Sequence, residues 1–207
     1  MKILFLPPLD YFTMELVFAT HNENKVKEAQ VLLPSWIRLY TLTDIGCHET
    51  IPETGLTLTE NAAIKANYVT QTYGKPCFAD DTGLLVKVLN DAPGVFSARY
   101  AGPEKDTQAN LRKLLTEMRG KTDRTARFET AIVLNLKQET HYFKGDVQGT
   151  IACKPRGSKG FGYDPLFIPQ GYDLTFAELP LDQKNKIGHR GKALSQLIDF
   201  LSVLGRS

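Results

Sequence analysis

In the first half of the chain, short apolar runs alternate with longer stretches in which apolar residues recur at helical spacing. Residues 15–19 form a compact apolar run with the length of a buried strand. Residues 23–33 then place Val26 and Ala29 at helical spacing, and Pro34 ends the segment. Strands that alternate with helices in this way are typical of an α/β protein.

The same reasoning predicts the remaining elements. Strands are expected over 15–19, 36–42, 77–79, 127–136, 140–150 and 165–168, with 84–89 as a strand or a turn of helix. Helices are expected over 23–33, 59–73 (with Thr59 as its cap), 106–118, 182–186 and 191–204. Loops are expected over 43–57 and 154–162. The middle of the chain is strand-rich, so we predict a mixed sheet carrying two lobes.

The first thirteen residues contain a short apolar run broken by Pro7 and Pro8. A signal peptide needs a longer apolar core and a small-residue cleavage site, and this segment has neither. We expect Met14 to be the natural start, or residues 1–13 to be a loose extension. Because no linker or repeat divides the rest, we predict one two-lobed domain over residues 14–204. No run of about 18 apolar residues occurs, so no membrane span is expected.

Composition and charge narrow the class of protein. The 207 residues are 42% hydrophobic and 23% charged, as in an ordinary globular protein. A net charge of only +2 argues against a dedicated nucleic-acid binder. The three cysteines (Cys47, Cys77 and Cys153) form no CxxC pair, which fits a reducing, cytoplasmic setting better than a disulfide framework.

A first polar cluster lies where the first strand meets the first helix. It comprises Thr20, His21, Asn22, Glu23, Asn24 and Lys25. Free backbone N–H groups and the helix dipole favour an anion at such a junction. The hydroxyl and amide groups add neutral donors, and Lys25 adds a compact positive charge. The cluster therefore predicts a phosphate grip, although a simple polar helix cap explains it equally well. The turn lacks glycine, so it is not a standard P-loop.

A second cluster, Asp80 and Asp81, follows an apolar strand. A regular strand would direct only one of them into a cleft, but both could face one site if the strand ended there. Paired carboxylates suit Mg²⁺, with Glu53 as a further ligand, and one of them could instead act as a base toward water. The alternative is a solvated turn, for which Thr82 and Gly83 are well suited.

A third cluster combines Phe161, Gly162, Tyr163 and Asp164 with His189 and Arg190. The aromatic ring of Phe161 could stack on a base, and the polar groups could bind its edge. A buried aromatic corner beside a helix-capping pair is the alternative interpretation.

Together these motifs resemble the family of non-standard purine nucleoside triphosphate pyrophosphatases, which includes inosine triphosphate pyrophosphatases and bacterial dITP/XTP pyrophosphatases. The resemblance runs from about Met14 to about Leu204. The segments that carry it are, in chain order, 19–25 (ATHNENK), 53–61 (ETGLTLTEN), 79–83 (ADDTG), 92–100 (APGVFSARY), 160–165 (GFGYDP) and 184–191 (KNKIGHRG). Each segment is weakly specific, but their unbroken order makes the combined signal strong.

The resemblance implies an elongated α/β protein with two lobes around a substrate cleft, usually a homodimer. It implies hydrolysis of ITP, dITP or XTP to the monophosphate and pyrophosphate with Mg²⁺. By the family pattern Asp81 is the base or a metal ligand, and Glu53 is a metal ligand. Asp80 would share the metal or tune Asp81. The residues that would bind the nucleotide are Thr20, His21, Asn22, Glu23, Asn24, Lys25, Thr82, Phe161, Gly162, Tyr163, Asp164, Lys184, His189 and Arg190. The family often has Gly or Asn where His21 stands, so the role of His21 stays open.

Two other functions remain compatible with the residues. One is a pyrophosphatase for modified pyrimidine or methylated nucleotides on a similar fold. The other is a non-catalytic nucleotide-binding module. The carboxylates argue against a pure anion binder, because they would repel the anion in the absence of a metal.

Overall fold

A mixed seven-stranded β-sheet organises residues 13–204, the part of the chain that the computed structural model describes. The strands are β1 (Met14–Phe18), β2 (Ile37–Thr41), β3 (Cys77–Val86), β4 (Ala92–Pro93), β5 (Thr125–Leu136), β6 (Glu139–Ile151) and β7 (Phe167–Pro169). Their order is β2-β1-β3-β5-β6-β7, and β4 pairs with β3. β1 runs parallel to β2 and β3, whereas every later pairing is antiparallel.

Five α-helices cover the sheet within the described residues. They are α1 (Glu23–Leu32), α2 (Leu58–Tyr73), α3 (Thr107–Glu117), α4 (Leu181–Ile187) and α5 (His189–Leu204). Short 3₁₀ turns occupy Thr43–Ile45, Lys87–Leu89 and Gly94–Arg99. The predicted α/β class with a mixed sheet is confirmed. Residues 1–12 of the predicted N-terminal extension lie outside the described residues. None of the helices in residues 13–204 is both long and apolar enough to cross a membrane.

Local capping chemistry sets the start of several helices. Asn22 accepts hydrogen bonds from two backbone N–H groups at the start of α1. α2 begins with a capping box in which Thr57 and Glu60 bond each other's backbone, so the predicted cap at Thr59 is wrong by two residues. Gly74 ends α2 in a left-handed conformation, at a φ of 63°, that glycine adopts without steric cost.

β3 is longer than the sequence pattern suggested. Residues 77–79 and 84–89 were expected to be separate elements, but β3 runs without a break through the polar residues between them. Its register against β5 is continuous, from Cys77 opposite Asn135 to Val86 opposite Ala126. Because β5 satisfies the backbone groups along the whole length, the polar side chains do not interrupt the strand.

The apolar core divides into three clusters around β3. Phe78 packs in a cluster with α1 and α5, and Ala79 packs on the opposite face with α2. Farther along the strand, Leu84 and Val86 join a third cluster with α3, β7 and the aromatic side chains after it. Between these apolar ends, β3 carries Asp80, Asp81 and Thr82. The sheet therefore places three polar residues where its apolar clusters meet.

Candidate functional site

A single cleft of about 460 Å³ brings together residues from all three predicted clusters. This volume is in the range of small-molecule sites. The predicted residues that line it are Thr20, His21, Asn22, Asn24, Lys25, Glu53, Asp81, Thr82, Phe161, Gly162, Tyr163, Asp164, Lys184, His189 and Arg190. Of the described residues predicted for the site, Glu23 and Asp80 stay outside the lining. Distant segments of the chain thus converge on one pocket, as the sequence led us to expect.

Asp81 belongs to a buried polar group at one end of the cleft. Asn61 Nδ2 donates to Asp81 Oδ2 at 3.1 Å, and Lys65 Nζ lies 3.9 Å from Asp81 Oδ1. The same Lys65 ammonium donates to Glu53 Oε1 at 2.7 Å. Arg99 reaches the other carboxylate oxygen of Glu53 at 3.4 Å. Two carboxylates are therefore held beside two cations from different elements.

The electrostatic setting of Asp81 differs from that of its partners. Burial raises the pKa of Asp81 above its ordinary 3.8, although Lys65 and Lys25 oppose the shift. Burial also favours neutral Lys65, but the attraction of Asp81 and Glu53 outweighs it and raises the Lys65 pKa above 10.5. Lys65 is therefore charged at neutral pH. A carboxylate with a raised pKa that opens to a cleft is a candidate proton acceptor.

Asp80 occupies the opposite face of β3, because successive side chains of a strand alternate. Its side chain is fully buried. Lys25 Nζ donates to Asp80 Oδ1 at 2.7 Å, and Arg190 Nε donates to Asp80 Oδ2 at 2.9 Å. Asp80 does not line the cleft, because the strand does not end where the prediction required. The geometry does not support Asp80 as a metal ligand, and we assign it instead to the anchoring of Lys25 and Arg190.

Glu28, which the sequence analysis did not select, joins two of the predicted site residues. It is a buried residue of α1, and Lys184 Nζ donates to its Oε1 at 2.7 Å. Arg190 donates to its other carboxylate oxygen. Nothing in the local sequence distinguishes Glu28 from a solvated helix residue, since its partners lie 156 and 162 positions away along the chain.

The free energy of unfolding in acid should depend on whether Glu28 is ionised. Burial alone would raise its pKa, but the attraction of Arg190 and Lys184 outweighs burial and holds the pKa below 4.5. A carboxyl with a depressed folded-state pKa stabilises the fold above its unfolded pKa and loses that contribution as pH falls. The difference in unfolding free energy between the native protein and Glu28→Gln should therefore be largest near neutral pH. It should shrink between about pH 5 and pH 2 as Glu28 becomes protonated.

Urea denaturation at a series of pH values measures this difference directly. The glutamine variant keeps the size of the side chain and cannot titrate, so other acidic groups cancel in the comparison. A difference that stays constant over the acidic range would contradict the assignment of Glu28 as a charged partner.

Several side chains of the turn from residue 20 to residue 25 already bond other groups of the protein. Thr20 Oγ1 accepts from the backbone N–H of Asn22 at 3.1 Å. The Asn22 side chain caps α1, and Lys25 is paired with Asp80. Glu23 is exposed, lies 3.9 Å from Lys27 and does not line the cleft, so its role as a binding residue stays a prediction without a supporting contact. The remaining members still face the cleft.

His21 connects this turn to the loop that precedes α2. Its Nε2 lies 2.9 Å from the carbonyl oxygen of Glu49, which fixes Nε2 as the donor. The Glu49 carboxylate in turn accepts hydrogen bonds from Tyr68 and Tyr73 of α2. These hydrogen bonds, the one from Tyr68 above all, help to lower the pKa of Glu49 to about 2. His21 thus ties one wall of the cleft to the loop that carries Glu53.

The aromatic loop at the other end of the cleft is held by Asp164. Asp164 Oδ2 accepts from the backbone N–H of Phe161 at 2.8 Å and from Lys184 Nζ at 2.5 Å. A side chain at Gly160 would collide with the same carboxylate, and its φ of 71° also requires glycine. The Lys184 ammonium lies 5.0 Å and the Arg190 guanidinium 5.6 Å from the Phe161 ring centroid. The Phe161 ring is therefore a flat aromatic surface held in place by cation–π contacts with Lys184 and Arg190.

His189 and Arg190 stand at the N-terminus of α5, buried beside β3 and β5. His189 Nδ1 lies 2.6 Å from Thr130 Oγ1, and Arg190 Nη2 donates to Thr82 Oγ1 at 3.1 Å. Burial, followed by the charges of Arg190 and Lys184, lowers the pKa of His189 well below 6.5, so the ring is neutral. Tyr163 is also buried, and its hydroxyl donates to the carbonyl of Ser97 at 2.9 Å.

Several residues at the site were not predicted as site residues, although two of them, Asn61 and Arg99, lie within the quoted segments 53–61 and 92–100. They are Glu28, Asn61, Lys65, Arg99, Lys105 and Thr130. Asn61 and Lys65 lie four residues apart on α2, a spacing that places two side chains on one helix face and could have been noticed. Thr130 lies within an otherwise apolar strand and carries no such signal.

The cleft offers two carboxylates to Mg²⁺, those of Glu53 and Asp81. Among residues 13–204, no group of three or more His, Cys, Asp or Glu side chains is arranged to hold a metal ion. Mg²⁺ requires only one or two carboxylates when waters and substrate phosphates complete its shell. Glu53 and Asp81 both line the cleft and are near enough for the charge of Glu53 to raise the Asp81 pKa. The donor set therefore fits the ion with two protein ligands.

The fold and the cleft define the class: an α/β protein in which a central strand, the neighbouring helices and their loops present carboxylates, cations and an aromatic ring to one small-molecule pocket. The Ham1 family model matches residues 16–200. A dITP/XTP pyrophosphatase from Flavobacterium psychrophilum is 56% identical over 187 residues, which cover 90% of this chain and 98% of that protein. A dITP/XTP pyrophosphatase from Bacillus subtilis is 48% identical, with 91% of this chain and 98% of that protein covered.

Solved structures agree with these relatives. The Ham1 protein of Staphylococcus aureus superposes with a TM-score of 0.83 at 39% identity, covering 93% of this chain and 100% of that one. A HAM1 protein from Coxiella burnetii gives a TM-score of 0.84 at 40% identity, covering 92% of this chain and 99% of that one. The chain belongs to the Ham1 family.

Proposed function

We propose that this protein hydrolyses non-standard purine nucleoside triphosphates, such as ITP, dITP and XTP, to the monophosphate and pyrophosphate. One observation carries the proposal: the cleft joins a carboxylate–lysine group at one end to a cation-supported aromatic ring at the other. The first can act on a phosphate chain and the second can hold a base. The names of the relatives, dITP/XTP pyrophosphatases, support the same reaction.

The balance of charge in the cleft favours a polyanion. Cations that line it are Lys25, Lys65, Arg99, Lys105, Lys184 and Arg190, against the carboxylates of Glu53, Asp81 and Asp164. Several of these cations are already paired: Lys25 with Asp80, Lys184 with Glu28 and Asp164, and Arg190 with Asp80 and Glu28. A triphosphate entering the cleft would meet fixed positive charge at both ends.

Asp81 is the proposed general base. Cleavage between the α and β phosphates requires a water molecule whose oxygen attacks phosphorus while its proton is removed. Asn61 and Lys65 hold the Asp81 carboxylate, which leaves its position defined before substrate binds. Burial raises the pKa of Asp81 above that of an ordinary aspartate, which makes it a better proton acceptor.

Glu53 and Asp81 are the residues that would hold Mg²⁺. The ion would neutralise charge on the phosphate oxygens and favour departure of pyrophosphate. Lys65 lies between the two carboxylates and lessens their mutual repulsion. Lys65 contacts one carboxylate oxygen of Glu53 and Arg99 contacts the other, so both oxygens of this side chain are held in place.

The base is proposed to lie on Phe161, with its polar edge toward His189 and Arg190. Arg190 already uses one N–H on each of its three nitrogens, for Asp80, Glu28 and Thr82. A guanidinium has five N–H groups, so two remain. His189 retains Nε2. The substrate edge therefore meets a small set of donors held by buried contacts, which favours discrimination between bases.

A substrate panel with pyrophosphate detection tests this function. The purified protein, with and without Mg²⁺, should release pyrophosphate and monophosphate from ITP, dITP and XTP and should act weakly on ATP and GTP. Preferential hydrolysis of a modified pyrimidine or methylated nucleotide would favour the alternative pyrophosphatase. Tight nucleotide binding without any product would favour a non-catalytic module and would overturn the proposal.

We further propose that the protein is a homodimer, as the family resemblance implies, and that it is cytoplasmic, as its cysteine usage suggests. Light scattering coupled to size-exclusion chromatography measures the mass directly. A mass near twice the chain mass of 23.1 kDa supports the dimer, and a single-chain mass contradicts it.

A further inference from the structure

Thr130 joins two site residues that belong to different elements. It lies in the middle of β5 and is fully buried. Its Oγ1 is 2.7 Å from Thr82 Oγ1 on β3 and 2.6 Å from His189 Nδ1 on α5. None of the steps of the proposed hydrolysis uses Thr130, and none of the recognised motifs contains it. A buried hydroxyl with two polar partners nevertheless decides the direction of the bonds on either side of it.

The direction of this chain of hydrogen bonds follows from its first member. A guanidinium can only donate, so Thr82 Oγ1 accepts from Arg190 Nη2. If Thr82 donates in turn to Thr130, and Thr130 to His189 Nδ1, every hydroxyl proton has an acceptor. In the opposite direction the Thr82 proton would find no acceptor among the described residues. A consistently oriented chain is also strengthened by mutual polarisation.

The His189 ring is held in place while this chain acts on it. It stacks on Phe128 with ring centroids 4.7 Å apart and an interplanar angle of 30°. A side chain at Gly145 would collide with the His189 carbonyl, so β6 keeps a glycine where α5 begins. The ring is neutral because burial lowers its pKa well below 6.5. One ring nitrogen therefore carries the single hydrogen.

The second ring nitrogen, Nε2, opens to the cleft. It makes no hydrogen bond with any residue of the described range, and His189 lines the pocket. Buried side-chain nitrogen and oxygen atoms without a partner are confined, in residues 13–204, to Arg156 and Asn185. Nε2 is therefore unpaired but accessible, as expected of an atom that bonds a ligand.

We propose that Thr130 is a positioning residue that holds His189 in the tautomer with its hydrogen on Nε2, so that the ring presents a donor to the base before substrate binds. This inference rests on the proposed function and adds to it the residue that fixes the hydrogen-bonding polarity of His189. A purine with an amino group at position 6 would face the same donor with a donor of its own. The opposite tautomer would present a lone pair and would accept from that amino group.

The experiment compares Thr130→Val with Thr130→Ser in the full-length protein. Valine keeps the shape of threonine and removes the hydroxyl, whereas serine retains it. The ratio of kcat/KM for ITP to that for ATP should fall by about tenfold or more in Thr130→Val and stay near the native value in Thr130→Ser. Thr150→Val, an exposed threonine on β6, is the control and should leave the ratio unchanged. A native ratio in Thr130→Val overturns the proposal.

Nitrogen-15 NMR of His189 gives a readout that loss of packing alone would not produce. The native protein without substrate should show a protonated Nε2 and an unprotonated Nδ1. Thr130→Val should show both tautomers, and Thr130→Ser should restore the native pattern. A native protein with its hydrogen on Nδ1 overturns the proposal even if the variants are poorly active.

The failure of this inference and that of the proposed function are distinguishable. A native enzyme that hydrolyses no purine triphosphate overturns the function, and the specificity claim with it. An active native enzyme with unchanged selectivity in Thr130→Val overturns the inference alone.

Discussion

Replacing Asp81 by asparagine should lower kcat for ITP by about 10²- to 10⁴-fold while the protein remains folded. Asparagine keeps the shape of aspartate but cannot accept a proton from water, so the loss falls on the chemical step. Asn61 can still contact the amide oxygen at residue 81, which preserves much of the local packing. Steady-state kinetics with ITP, alongside thermal unfolding, measure both quantities.

Asp199→Asn is the matched control for this variant. Asp199 is an exposed aspartate on α5, away from the cleft, and its replacement should leave kcat unchanged. Near-native turnover by Asp81→Asn would remove Asp81 from the role of base. A fall in kcat accompanied by loss of the folded state would assign Asp81 to stability instead.

The kcat of the native enzyme should also decline in acid as Asp81 becomes protonated. Burial raises the Asp81 pKa above 3.8, so the protonated form appears at a higher pH than for an ordinary aspartate. Asp81→Asn should lack this acidic limb in its residual activity. If the activity of Asp81→Asn still declined in acid as that of the native enzyme does, the decline would be assigned to another group.

Replacing Asp80 by alanine should destabilise the protein by about 3–5 kcal/mol, because a buried charge pair loses one partner. Lys25 and Arg190 both donate to this fully buried carboxylate, so its removal leaves their charges without compensation in the interior. For a chain of this size, each kcal/mol shifts Tm by roughly 2–4 °C. Urea unfolding gives the free energy, and calorimetry gives Tm.

Measuring the stability and the Mg²⁺ requirement of Asp80→Ala distinguishes a role in anchoring Lys25 and Arg190 from a role as a metal ligand. Asp199→Ala, at an exposed position, should change the unfolding free energy by no more than about 0.5 kcal/mol. If Asp80 anchors the two cations, Asp80→Ala loses stability in the absence of Mg²⁺ as much as in its presence. A variant with native stability and a greatly increased Mg²⁺ requirement would restore Asp80 as a metal ligand.

Asp80 and Asp81 illustrate the limit of inference from adjacent residues. Their side chains alternate across β3, and the prediction that both face one site depended on a strand end that does not occur. Pairing with β5 extends the strand, and this pairing is a contact between residues some fifty positions apart. Asp81 therefore reaches the cleft beside α2, while Asp80 is enclosed by Lys25 and Arg190 on the other face.

The sequence by itself determined the features that arise within a few residues of one another. Helical spacing gave α1 and α2, a left-handed glycine ended α2, and ordered motifs indicated which polar segments share a site. Only the tertiary structure decided which polar side chains hold one another. Glu28 meets Lys184, and Thr130 meets His189, across 156 and 59 positions respectively. Such partners are chosen by burial, which makes an unpaired charge or hydroxyl costly, and burial is a property of the assembled sheet and helices.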